Sequence, residues 1–168
     1  NALNATTEER LAYIKMSKAV RGDIEQETDI TEDVIEDADP TILSEQKYAE
    51  MGASEQFILS ISNNGYGKRT STFEYRVTGR GGKGIIAMVV NDRNGDLSDS
   101  FPVEPSNQII LVTDKGKLIR CPVDDIRIAS RSTQGVRIVD IDNEEQVVSV
   151  ERLGDIETED NQEEDDSE

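Results

Sequence analysis

Histidine and tryptophan are missing from this 168-residue chain, and cysteine occurs once. Without imidazole a Ser-His-Asp hydrolytic triad is excluded. A single thiol without imidazole partners cannot supply the Cys/His sets that hold structural zinc, and Cys121 has no second cysteine for an internal disulfide. It follows Arg120 on an apparent strand, and the general burial of free cysteine predicts a small buried thiol. Aromatics make up 4% of the chain, too few to build a base-stacking platform. No apolar run approaches the ~20 residues that cross a bilayer, and no charged n-region followed by an apolar core marks a secretory signal. The cytosol is therefore the expected compartment, with no membrane partner. The chain opens on Asn1 rather than a methionine and is expected to be a piece of a longer protein.

Basic charge is also scarce, but only on average. The net charge is −18, which taken alone argues against nucleic acid as a partner. Residues 1–55 carry 5 basic and 14 acidic side chains, residues 56–153 carry 13 of each, and residues 154–168 carry 9 acidic and none basic. The excess lies wholly in the flanks, leaving a balanced centre.

That centre is a duplication. Displaced by fifty-one residues, Ile58 falls on Ile109, Ile61 on Val112, Gly65 on Gly116, Arg69 on Arg120, Arg76 on Arg127, Arg80 on Arg131, Gly84 on Gly135 and Val90 on Ile141, without a gap. A period near fifty residues is that of propeller-like β arrays. In the first copy, strands are predicted over 57–62, 66–70, 84–90 and 96–103, with turns at Asn63-Asn64-Gly65 and Asp92-Arg93-Asn94-Gly95. In the second they fall over 108–113, 117–122, 135–141 and 146–150. The fold class is thus all-β, a partial propeller of four-stranded blades. The boundaries are a blade over 56–105, a last blade over 106–153 and an acidic tail over 154–168. Two blades leave sheet faces uncovered, so further blades are expected upstream of residue 1.

Ahead of the blades, residues 1–55 form a helical acidic insertion. Thr6 and Glu9 make a capping box opening a helix that stops at Gly22. Residues 23–39 hold nine acids and no base, a composition for a solvated loop. Asp39-Pro40 then caps a short helix ending near Gly52. The insertion is read as a solvated connector.

Chemistry concentrates at two windows, at the same place in each copy. Residues 65–84 contain Lys68, Arg69, Arg76, Arg80 and Lys83 against Glu74; residues 115–137 contain Lys115, Lys117, Arg120, Arg127, Arg131 and Arg137 against Asp124 and Asp125. Each window is net +4. On successive blades these eleven cations would line one rim, suited to a phosphate backbone because phosphates recur regularly and carry no sequence information. If about half of them reach phosphate, the slope of binding against log salt is roughly −4 to −5. The Gly79–Gly84 run lacks the Gly-Lys-Ser/Thr ending of a nucleotide-binding P-loop, and no nucleophile–base pair is evident. The piece is not expected to be catalytic. Two roles stay open for the acidic tail: a competitor with the phosphate backbone for the basic rim, or a solubilising terminus.

The runs Asn64-Gly65-Tyr66-Gly67-Lys68-Arg69-Thr70, Arg80-Gly81-Gly82-Lys83-Gly84-Ile85, Gln108-Ile109-Ile110-Leu111-Val112-Thr113-Asp114 and Ser130-Arg131-Ser132-Thr133-Gln134-Gly135-Val136 resemble the C-terminal domain of DNA gyrase A. The resemblance covers residues 56–153. It implies a β-pinwheel, a propeller-like fold with strands exchanged between blades, of which this chain holds the last two. It also implies a module that wraps duplex DNA for a type IIA topoisomerase introducing negative supercoils, in the bacterial cytoplasm. The implied partners are duplex DNA and DNA gyrase B in an A2B2 heterotetramer. ATP and Mg2+ belong to the holoenzyme through gyrase B and the catalytic core, and no cofactor is expected here. Residues 78–84 lack the Gln and one Arg of the family's Gln-Arg-Arg-Gly-Gly-Lys-Gly box, so the box's role is not assigned to them. Two other readings remain: the related C-terminal domain of topoisomerase IV, and a β-repeat scaffold binding protein through the insertion.

Overall fold

The computed structural model describes residues 5–22, 38–76, 78–142 and 144–154. Apolar residues two apart, Leu59 and Ile61 in the first copy and Ile109 and Leu111 in the second, turn one face of each hairpin to the core. β1 (Phe57–Ser62) and β2 (Tyr66–Ser71) form a hairpin whose turn closes by Gly65 N–H donating to Ser62 O at 3.1 Å. Gly65 sits at φ 78°, a left-handed conformation that glycine adopts without strain. β3 (Leu97–Val103) adds antiparallel to the other side of β1. The second copy builds β4 (Gln108–Thr113), β5 (Leu118–Pro122) and β7 (Val147–Leu153) in the order β5-β4-β7. Leu59 and Ile61 of the first sheet join Ile109 and Leu111 of the second in one core, completed by Val103, Val123, Ile126, Val139, Val147 and Val150.

The third strand of each copy departs from expectation. In the second copy only β6 (Val136–Arg137) is a strand, and it pairs with β2 of the first sheet, giving the order β3-β1-β2-β6. The expected exchange of strands between blades is thus present. Beyond β6, Ile138 and Val139 N–H both donate to Gly65 O, at 2.9 and 3.2 Å. In the first copy residues 84–90 are not a strand. By the displacement of the repeat they would pair with a preceding blade, and no such strand is among the described residues. Ile86 is accordingly 63% exposed. The second sheet has three strands rather than four.

The exchange requires close backbone approach. A Cβ on Gly135, at φ 74°, would lie 2.8 Å from Gly67 O, inside any real carbon–oxygen contact. Glycine at 135 lets the incoming strand reach β2.

The insertion opens with α1 (Thr7–Arg21). Its capping box is formed as expected: Thr6 N–H donates to Glu9 Oε2 at 2.7 Å, and Glu9 N–H donates to Thr6 Oγ1 at 3.2 Å. Gly22 caps the other end in the left-handed region. The single helix expected after Asp39 is instead two elements, a 3-10 turn (Pro40–Ile42) and α2 (Glu45–Ser54). Ser44 imposes the break, since its Oγ accepts Lys47 N–H at 3.1 Å as a new N-cap. The insertion is no solvated connector either. Ala12, Tyr13, Ile14, Leu43 and Met51 pack with Phe73 of the blade, where the rings of Tyr13 and Phe73 meet edge-on at 5.1 Å. The acidic loop expected over 23–39 falls largely, and the tail over 154–168 almost wholly, outside the described residues.

Candidate nucleic-acid interface

Residues 66–70, Tyr-Gly-Lys-Arg-Thr, are buried throughout, and each engages the second copy. Tyr66 Oη accepts from Arg137 Nη2 at 3.2 Å and from Arg93 Nε at 3.3 Å. Both guanidinium groups lie over its ring, 5.6 and 5.2 Å from the centroid, as cations favour aromatic faces. The two arginines hold the phenol pKa below its ordinary value by hydrogen bonding, Arg137 more than Arg93. Gly67 admits Gly135. Lys68 is 0% exposed, and its ammonium donates to Ser130 O at 2.6 Å, Arg131 O at 2.5 Å, Thr133 O at 2.9 Å and Thr133 Oγ1 at 3.2 Å. Arg69, 6% exposed, donates from Nε to Ile126 O at 2.6 Å, from Nη2 to Asp124 O at 2.9 Å and from Nη1 to Asp124 Oδ1 at 3.2 Å. Thr70 Oγ1 donates to Ala129 O at 3.0 Å. The backbones join as well: Arg69 N–H donates to Arg127 O and Ala129 N–H to Arg69 O.

These contacts correct the expectation for Lys68 and Arg69. Turn-proximal cations were expected on a phosphate-facing rim; both are instead interblade staples. A buried cation is tolerated only when its donors are satisfied, and here backbone carbonyls of the neighbouring blade satisfy them. Charge-assisted bonds of this kind contribute about 1.5–3 kcal/mol each.

The matching run of the second copy is Lys117-Leu118-Ile119-Arg120-Cys121, and among the described residues it carries no equivalent staple. Leu118 is 72% exposed. Lys117 pairs with Asp142 at 2.9 Å and with the buried Glu145 at 2.7 Å. Those hydrogen bonds, with Glu145 contributing most, raise the Lys117 pKa to about 12. The bond from Lys117, with a second from Thr113 Oγ1 at 2.6 Å, holds Glu145 down at about 2. The Lys117 charge expected for phosphate is thus committed to two carboxylates. Arg137, though exposed, ion-pairs with Asp140 at 3.1 Å besides gripping Tyr66.

Seven of the eleven expected cations stay on the surface outside these arrangements: Arg76, Arg80, Lys83, Lys115, Arg120 and Arg127 are exposed, and Arg131 is partly so. Arg80 and Lys83 project from a glycine-rich loop around which space is open. Arg127 and Arg131 lie on the segment that crosses from the second copy to β2. Arg120 Nε donates to Gln108 Oε1. Arg93, beside Tyr66, was not among the expected residues; its turn position gave no hint of a stack, since its partner lies twenty-seven residues earlier. Cys121 is half-buried rather than buried, and desolvation pushes its thiol pKa up. No group of three or more metal-ligating side chains occurs among the described residues. No helix among them is long and apolar enough to cross a membrane.

A sequence model of one family, described as the DNA gyrase C-terminal domain, a β-propeller, matches residues 56–104 and 107–153. DNA gyrase A of Granulibacter bethesdensis is 42% identical over 156 residues, covering 88% of this chain and 17% of that protein. DNA gyrase A of Rickettsia bellii is 39% identical over 163 residues, 97% of this chain and 17% of that protein. A solved structure described as the DNA gyrase A C-terminal domain superposes with a TM-score of 0.55 at 25% identity, over 60% of this chain and 34% of the other. The C-terminal domain of DNA topoisomerase IV superposes at 0.53 and 23% identity, over 58% of this chain and 31% of the other, a likeness of fold alone. The chain therefore spans about 17% of the length of these gyrase relatives.

Proposed function

The chain belongs to the DNA gyrase C-terminal domain family, and on that premise we propose that it binds and bends duplex DNA as part of a DNA gyrase A polypeptide. In this reading the parent enzyme is a type IIA topoisomerase introducing negative supercoils, assembled with gyrase B in the bacterial cytoplasm. ATP and Mg2+ serve that assembly elsewhere. The observation that carries the reading is the match of the family to both copies, together with surface cations on each of them. Cations neutralise phosphates and release counterions, and a curved row of them offsets the elastic cost of bending a duplex. The staples add rigidity: a fixed angle between blades gives the duplex a preset path.

Burial of Lys68 and Arg69 and the pairing of Lys117 and Arg137 lower the expected salt dependence. If about half of the seven remaining cations reach phosphate, binding against log salt has a slope of roughly −3, shallower than the eleven-cation figure. A salt titration of duplex binding by the full chain measures it. Binding that is indifferent to salt, or absent at low salt, refutes the reading.

A further inference from the structure

The segment 130–133 is held by three side chains from three parts of the chain. Lys68 of β2 grips its carbonyls. Lys18, in the last turn of α1, donates from Nζ to Ser130 Oγ. Glu74, in the 3-10 turn Thr72–Glu74 that follows β2, accepts Arg131 N–H at 2.7 Å. Glu74 is the hub. Burial pushes its carboxyl pKa up, and it is drawn back by that N–H and by the charges of Lys18, Lys68 and Arg131. One carboxylate therefore holds the backbone of this segment while feeling the charge of a cation from the insertion, one from the first sheet and one from the second copy. Arg131, so held, extends Nη1 to Ile86 O at 2.5 Å, which places it beside the loop carrying Arg80 and Lys83.

We propose that α1 is a positioning element for Arg131, bracing the 130–133 segment through Ser130 and Glu74 so that this arginine meets the DNA backbone in a fixed place. The functional half of this statement rests on the DNA-binding reading; the bracing half does not. Docking of α1 is independent of Lys18, because Arg10 Nη1 donates to Tyr75 O at 3.4 Å and Tyr13 packs on Phe73. Removing the Lys18 ammonium thus takes away one of the three holds on the segment, loosening it without releasing the helix.

Two measurements on the full chain test it. Without DNA, Lys18→Ala speeds amide hydrogen exchange at residues 130–133 while the exchange of α1 is unchanged; unaltered exchange at 130–133 overturns the brace. With a short fluorescent duplex, Lys18→Ala and Ser130→Ala each weaken binding about threefold to tenfold, and Lys18→Ala adds nothing once Arg131→Ala is present. An equal Lys18→Ala effect with and without Arg131 overturns the proposal, because Lys18 then touches DNA itself. An Arg131→Ala chain that binds as well as the wild type overturns it too, while salt-dependent binding by both leaves the DNA reading standing. A wild-type chain that ignores duplex at low salt overturns the DNA reading and with it the purpose of the brace, and faster exchange in Lys18→Ala still marks the brace itself.

Discussion

Replacing Lys68 with methionine keeps most of the stem's volume and removes the ammonium, which separates a staple from a phosphate contact. The cost follows from what each acceptor keeps. Ser130 O retains Thr133 N–H at 3.2 Å and Thr133 Oγ1 at 2.9 Å, and Thr133 O retains Val89 N–H at 3.1 Å. Among the described hydrogen bonds, Arg131 O accepts from Lys68 alone. One carbonyl is orphaned at about 1–3 kcal/mol, and the remaining charge-assisted bonds are lost, partly offset because a cation no longer has to be desolvated. The net loss is about 2–4 kcal/mol. In urea, with an m-value of about 2 kcal/mol per molar, the midpoint falls by about 1–2 M, followed by far-UV circular dichroism because the chain has no tryptophan. The salt slope of DNA binding stays where it is, since Lys68 neutralises no phosphate. Arg131→Ala gives the opposite result: the slope becomes shallower by about 0.9, and stability changes little. A Lys68→Met chain with an unmoved urea midpoint and a shallower salt slope would refute the assignment of this lysine to the fold.

Gly135→Ala, forced into the left-handed region against Gly67 O at 2.8 Å, costs about 3 kcal/mol or more. Gly79→Ala meets open space and stays within about 1 kcal/mol of the wild type; paired urea melts of the two read the difference. Glu145, held at about 2 against an ordinary 4.5, is ionised in the fold where the unfolded chain takes up a proton. Its contribution is complete above about pH 4.5 and disappears as pH falls through 2. Glu145→Gln therefore differs from the wild type by a constant amount near neutrality and converges toward it in that window, checked by urea midpoints across the acid range. Lys117 contributes in the other direction, present below 10.5 and lost as pH rises through about 12. Thr6→Ala removes a cap bond at about 1 kcal/mol, seen as faster exchange in the first turn of α1 with the blades unaffected.

The hairpins were legible in the sequence because their signals are local. The apolar run that opens residues 57–62 and the Asn-Asn-Gly turn after it suffice for β1 and β2, and Thr6 with Glu9 suffices to open α1. What depends on a distant neighbour was less legible. Residues 84–90 have the apolar run of a strand, yet a strand also needs an edge to pair with, and β6 finds its edge on β2 some seventy residues earlier. The seven surface cations are where solvated charges belong, and charge counting found them. Lys68 and Arg69 look the same by that count, but their burial is set by carbonyls at 124–133 in the next blade. A hint lay across the hairpin: Lys68 sits opposite Ser60, and Ser62 follows on the same face, small side chains that leave room for a long buried stem. Arg93 was missed for the reverse reason, since a turn arginine acquires its role only when Tyr66 and Arg137 are brought beside it.

The placement of β6 separates heredity from architecture. The segment that was duplicated runs from one hairpin to the next, yet the object that stands up in solution borrows its outermost ribbon from the following copy. Cutting the chain near residue 105 would yield neither half intact: the upstream piece would lose a bordering ribbon and every carbonyl that Lys68 holds, and the downstream piece would keep a two-residue ribbon with nothing to lie against. A copy joined in this way both finishes the sheet before it, as β6 does for β2, and keeps only three strands in its own.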